Sequence, residues 1–202
     1  MLLKTRRRAI IVLVSILLLL LYITRSFSIL IPFSISLIAL LLFSYIDKSY
    51  KFNFPERYYI YIFLMFLLGS IIGPGNPPFG LYYRGVFYDK FLHTINPIMA
   101  SAILFFIINR LEITLKWKLL MTVTIVFGIL SVWEIGEYLL DNIFGSFHQG
   151  VYLKDFLTQN GFSEVSGALT DTMRDLIFGL IGSIIYALYI MVIYYKNKVS
   201  KK

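Results

Sequence analysis

The sequence predicts an all-α, polytopic membrane protein of about six transmembrane helices with both termini cytoplasmic. Three observations carry that reading: an apolar composition, apolar runs of membrane-spanning length, and a lopsided distribution of basic residues. Of the 202 residues, 58% are hydrophobic and 15% charged, where soluble domains hold about a quarter charged. Mean hydropathy is +0.78. So much apolar sequence exceeds what one core needs, and it suits lipid as the surrounding solvent.

The spans follow in order, each judged against the roughly 20 residues that cross about 30 Å of hydrocarbon. The first is expected at Ala9–Thr24, behind Lys4, Arg6, Arg7 and Arg8. No small-x-small cleavage site follows it, so it reads as an uncleaved anchor and not a signal peptide. The second is Phe27–Ile46, followed by a polar loop Asp47–Arg57 containing Pro55. The third, Tyr58–Gly73, is short and ends at Pro74-Gly75-Asn76-Pro77-Pro78, which cannot continue a helix. The fourth is Phe91–Ile108 and the fifth Lys118–Leu140. A long loop, Asp141–Thr170, leads to the sixth, Asp171–Tyr195, and a lysine-rich tail. Residues 1–57 form an N-terminal two-helix segment and residues 58–202 a four-helix domain.

With the N-terminus inside, cytoplasmic segments hold Lys4, Arg6, Arg7, Arg8, Lys48, Lys51, Arg57, Arg110, Lys116, Lys118, Lys196, Lys198, Lys201 and Lys202. The outer segments hold Arg25, Arg84, Lys90 and Lys154. This bias follows the positive-inside rule and supports an even number of spans in the cell membrane. It also accounts for the net charge of +8, so nucleic acid is not implied as a partner; the lipid bilayer is. The absence of cysteine excludes disulfides, thiolate catalysis and cysteine metal sites.

Ionisable residues inside apolar spans are expensive and usually functional. Asp89 and His93 open the fourth span. Glu134 and Glu137 close the fifth, with Asp141 beyond. Asp171, Arg174 and Asp175 open the sixth. Alternating topology puts all of them on the outer side. Asp89/His93 and Asp171/Asp175 are i,i+4 pairs and Glu134/Glu137 is i,i+3, so each set shares a helical face. His93, Glu134 and Asp175 fall roughly 6–9 Å inside their expected helix ends.

Oxygen and imidazole ligands without thiolate suit a divalent metal such as Zn, Mn, Fe or Mg, with His93, Asp89, Glu134, Glu137, Asp171 and Asp175 as candidate ligands. A cation there activates water against a lipid-linked ester or phosphate, with Glu134, His93 and Asp175 as candidate catalytic residues. Arg174 is a candidate for an anionic headgroup or a counter-ion for the acids. Two other readings stand beside this one: a proton- or ion-coupled transporter, and a polar network that locks helices together. The inner halves of the last three spans, such as Ser101–Ile108 and Leu119–Gly128, are almost free of ionisable groups, which argues against a relay across the bilayer. As bland alternatives, Asp89 and Asp171 stand where N-caps are expected. Tyr58, Tyr59 and Tyr61, with Tyr82, Tyr83 and Tyr88, read as interfacial belts. His148 reads as a surface residue, and Gly179, Gly182 and Ser183 as a small face for close helix approach.

The segments Tyr-Asp-Lys-Phe-Leu-His (88–93), Glu-Ile-Gly-Glu-Tyr (134–138) and Asp-Thr-Met-Arg-Asp-Leu-Ile-Phe-Gly-Leu-Ile-Gly (171–182) resemble the YjdF-type inner-membrane family of unknown function, and more distantly VanZ-like membrane proteins. The resemblance covers roughly residues 80–190 and implies a polytopic membrane protein. Asp89, His93, Glu134, Glu137, Asp171 and Asp175 fall on its motif positions. The chain departs from the pattern at Phe162–Leu169, before the last motif.

Overall fold

The computed structural model describes residue 16 and residues 30–72, 81–83, 86–144, 151–154 and 162–200. The expected first span (residue 16 apart), the Pro74–Pro78 break and His148 lie outside these. Five α-helices are described: α1 Leu30–Ser49, α2 Glu56–Phe66, α3 Val86–Ile108, α4 Leu115–Phe144 and α5 Ala168–Val199. Among the described residues three helices, Phe87–Ile108, Leu115–Phe144 and Ala168–Val199, are long and apolar enough to cross a membrane. Their outward faces carry Ile129, Trp133, Ile177 and Val192, each more than half exposed, as a lipid-facing wall would be.

Helix boundaries depart from expectation in one direction. α3 starts five residues before Phe91, α4 reaches Phe144, and α5 starts at Ala168. The polar residues at these ends continue the helix instead of breaking it. Asp89 therefore stands in the first turn of α3. The N-cap of α5 is Gly167, with Asp171 one turn inside it. Neither aspartate is the cap its position suggested. After α2 the backbone continues as a π-helical stretch, Leu67–Ile72, where Gly69 and Ser70 have weak α-helical preference.

The fold is helical as expected, with one small addition in the loop between α4 and α5. Val151–Lys154 and Phe162–Ser166 form an antiparallel two-stranded ribbon with an irregularity between Val151 and Tyr152. The first strand packs beside the short 3-10 turn Leu81–Tyr83. Tyr82 in that turn is partly covered, and burial, with the Asp89 carboxylate nearby, pushes its phenol above the usual range.

α3, α4 and α5 form one bundle, α3 and α5 sharing the broadest contact. Glycine makes this approach close. A Cβ at Gly182 would stand 2.3 Å from the Thr94 carbonyl oxygen, and one at Gly179 would stand 2.4 Å from Leu130 Cδ1. With Ser183 fully buried beside them, this is the small-residue packing expected where helices meet in lipid.

At the end of the bundle holding the α3–α4 turn, aromatic rings fill the core. Phe54, Tyr58 and Ala102 are buried, with Phe43, Phe106 and Tyr186 against them. Phe54 stacks on Phe43 at 4.8 Å between centroids and meets Phe106 at 5.1 Å. Asp47, 2% exposed, organises the loop: it accepts from the Phe54 amide at 3.1 Å and from the Tyr59 hydroxyl. Lys51 and Asn53 take positive φ to allow the turn. Tyr58 and Tyr59, expected as belt residues, are core and anchor instead.

Candidate functional site

The opposite end of the bundle holds the acids. Asp89, Lys90 and His93 lie on the first two turns of α3, Glu134 and Glu137 toward the end of α4, and Asp171 and Asp175 on the first two turns of α5. His93 and Asp175 each stand seven residues into their helices, about 10 Å by helical rise. Glu134 stands ten residues from the end of α4, about 15 Å. The group thus stands further from its helix ends than expected, because the helices extend past the apolar runs.

At its centre is a residue the sequence reading treated as a loop charge. Lys90 is 6% exposed. Its Nζ donates to Asp171 Oδ1 at 2.5 Å, Asp175 Oδ1 at 2.6 Å and Asp89 Oδ2 at 2.9 Å. Asp171 and Asp175 are 5% and 3% exposed. An ammonium with three donors and three carboxylate acceptors is fully satisfied, and charge-assisted bonds of this length are strong. The signal was present in the sequence: Lys90 follows Asp89 directly and precedes His93 by one turn, inside a stretch that continues as helix. Counting it as a topology charge hid it.

His93 lies beside this centre. Its Nε2 is 3.6 Å from Asp89 Oδ1 and 3.8 Å from Asp175 Oδ1, and its Nδ1 is 3.7 Å from Glu134 Oε1. Glu134 is 4% exposed. One ring therefore faces carboxylates from all three helices. One ligand atom each from Asp89, His93 and Asp175 fall within 4.8 Å of one another. A cation held at about 2.0–2.2 Å by such oxygen and nitrogen ligands would draw the three together. Pro97, inside α3, has no amide hydrogen, so the His93 carbonyl receives no i+4 helix bond. Thr94 Oγ1 donates to the Lys90 carbonyl at 2.9 Å, committing that hydroxyl to its own helix.

Two of the sequence candidates stand apart. Glu137 accepts from Trp133 Nε1 at 2.8 Å, one turn from Glu134 and outside the Asp89–His93–Asp175 group. Arg174 is exposed and, among the described residues, makes no ion pair with the acids. Its side chain lines a groove between α3 and α5, with Phe87, Lys90, Phe91, Thr94 and Phe178. The structure thus gathers Asp89, His93, Glu134, Asp171 and Asp175 around Lys90 and turns Arg174 away from them.

This geometry joins the three sequence motifs in one place, and the comparison with known families covers the same ground. The chain matches the model of a family described as a predicted membrane protein, DUF2238, over residues 6–197. It belongs to that family. DUF2238 is the YjdF-type family that the motifs resemble, so the protein is a membrane protein of a family whose function is uncharacterised. No curated protein and no solved structure matches the chain. For this DUF2238 member, the site itself carries the functional argument.

Proposed function

We propose that this protein is a membrane-embedded hydrolase or transferase that uses a divalent metal on a lipid-linked substrate, within six spans whose acidic end faces outward. The observation that carries the reading is the convergence of Asp89, His93 and Asp175 ligand atoms within 4.8 Å, inside apolar helices. Four carboxylates, those of Asp89, Glu134, Asp171 and Asp175, stand near a single buried lysine. Carboxylates this close favour an added cation or proton. Oxygen–imidazole sets select Zn, Mn, Fe or Mg.

In this reading Asp89, His93 and Asp175 would hold a metal that would supply Lewis-acid activation of water, and Glu134, beside His93, would take the proton from that water. The water oxygen bonds to the carbonyl carbon or phosphorus, the bond to the leaving oxygen breaks, and that oxygen takes the proton. The outward placement rests on the basic asymmetry of the sequence, fourteen Lys and Arg on one side against four on the other. The apolar aromatic end of the bundle supports a one-sided site over a path through the membrane.

Metal analysis of purified protein tests this. Wild type is expected to carry about one divalent ion per chain and His93→Ala to lose it, while Glu134→Gln keeps it and loses activity. Wild type free of metal after loading overturns the proposal.

A second reading is favoured by one observation: the three short bonds of Lys90. There the lysine is the resident cation and the network fastens α3 to α5. In that case the His93→Ala protein stays folded and nothing in the preparation depends on metal, whereas Lys90→Met abolishes folding.

A further inference from the structure

Between α3 and α5, on the outer wall of the bundle, runs a groove of ≈ 620 Å³ lined by Phe87, Lys90, Phe91, Thr94, Arg174 and Phe178. That volume falls within the range of small-molecule sites. Its walls are apolar. Phe87 is 90% exposed and Phe91 50%, and the Thr94 hydroxyl is turned back onto its own helix. Arg174 is the one element of the lining that offers free donors among the described residues, for the Lys90 ammonium is held by three aspartates. The groove therefore presents aromatic surface along its length and a guanidinium beside it, and Lys90 forms the wall between the groove and the acidic site.

We infer that this groove holds a phosphate-headed membrane lipid, with Arg174 on the phosphate and Phe87, Phe91 and Phe178 along the chain, and that it is the lateral entrance through which a lipid substrate reaches the site. The inference rests on the lipid-linked substrate proposed above and narrows it to phosphate-bearing lipids. Three physical points support it. The groove lies on helices long and apolar enough to cross the bilayer, so a lipid has access to it from the side. A guanidinium fork matches two phosphate oxygens, and Arg is the side chain suited to that contact. Arg174 has no ion pair with a carboxylate among the described residues, although Asp171 stands one turn before it and Asp175 directly follows it. Its charge is complementary to an anion arriving from the lipid side.

The test is lipid retention by the purified full-length chain. Protein in neutral detergent is equilibrated with phosphatidylglycerol, phosphatidylcholine and diacylglycerol in equal amounts, with chelator present, and read by native mass spectrometry. Wild type is expected to retain one phosphatidylglycerol per chain, with diacylglycerol about ten-fold lower. Arg174→Gln is expected to lose about ten-fold in phosphatidylglycerol, in line with one charge-assisted contact, and Arg174→Lys to fall between, since it keeps the charge and drops the fork. Phe178→Ala lowers retention of all three lipids. Equal retention of phosphatidylglycerol by wild type and Arg174→Gln, no retention by wild type, or equal retention of diacylglycerol overturns the inference. Because metal is chelated throughout, a protein that binds lipid here and fails the metal assay refutes only the metal site. One that binds metal and fails here refutes only the groove.

Discussion

At one end of the α3–α4–α5 bundle, Lys90 holds three aspartates and His93 faces a glutamate. At the other, Phe54, Tyr58 and Phe106 meet ring on ring, and Phe105, Leu119 and Ala187 close the helices together. α3, α4 and α5 run through both ends, and α2 with the loop before it joins them at the aromatic one. The aromatic end is stabilised by contact area and ring geometry, which tolerate substitution of similar volume. The acidic end is stabilised only as a complete set, because each member left without its partner is a charge in a dry place. A bundle that needed nothing but cohesion would have used rings at both ends. On the function proposed above, the acidic end is the part kept for chemistry, and the aromatic end the part kept for cohesion.

That contrast can be broken most severely at Lys90. Replacing it with Met strands Asp89, Asp171 and Asp175 together. We expect a loss of roughly 5 kcal/mol, the top of the range for removing one partner of a buried pair, read as unfolding in detergent titration. Adding Asp175→Asn to Lys90→Met should recover part of that loss, which neutral packing damage would not. Phe54→Ala attacks the other end and should cost about 3–4 kcal/mol, as for large-to-small changes in a filled core, with metal content and lipid retention unchanged. The smallest effect is expected from Tyr59→Phe, which removes the hydroxyl bond to Asp47 and should cost about 1 kcal/mol, seen as a small shift in melting temperature. If Phe54→Ala disturbs the acidic end as much as its own, the two ends are energetically one region.

The sequence made the last three helices legible, because twenty-odd apolar residues in a row have few other fates. It also made the pairing of Asp89, His93, Glu134, Asp171 and Asp175 legible, because alternating topology fixes which helix ends meet. What it hid has two causes. Apolarity stops before the helices do, since Asp89 and Asp171 continue theirs, so the group stands further from its helix ends than the runs alone imply. And Lys90 was assigned by charge bias alone, a rule about side of the membrane that is blind to a lysine satisfied by acids on another helix. The buried roles of Tyr58 and Tyr59 were hidden likewise. A tyrosine near a span end fits a belt by composition, and only the fold shows that Asp47 and Phe54 await it. The Val151–Lys154 and Phe162–Ser166 ribbon had no strong alternation to announce it.

The bonds that satisfy Lys90 also order events during synthesis. Asp171 and Asp175 follow it by 81 and 85 residues, so α3 is made and delivered to the bilayer long before its partners exist. In that interval Asp89, its neighbour in sequence, is the one aspartate of the three already present to shield the ammonium. The bundle becomes electrically complete only when α5 arrives, which makes the last helix the closing step of assembly. A chain cut short before Ala168 lacks Tyr186 and Ala187 at the aromatic end and leaves the Lys90 charge inadequately screened among apolar helices, the kind of unfinished product that cellular proteases triage.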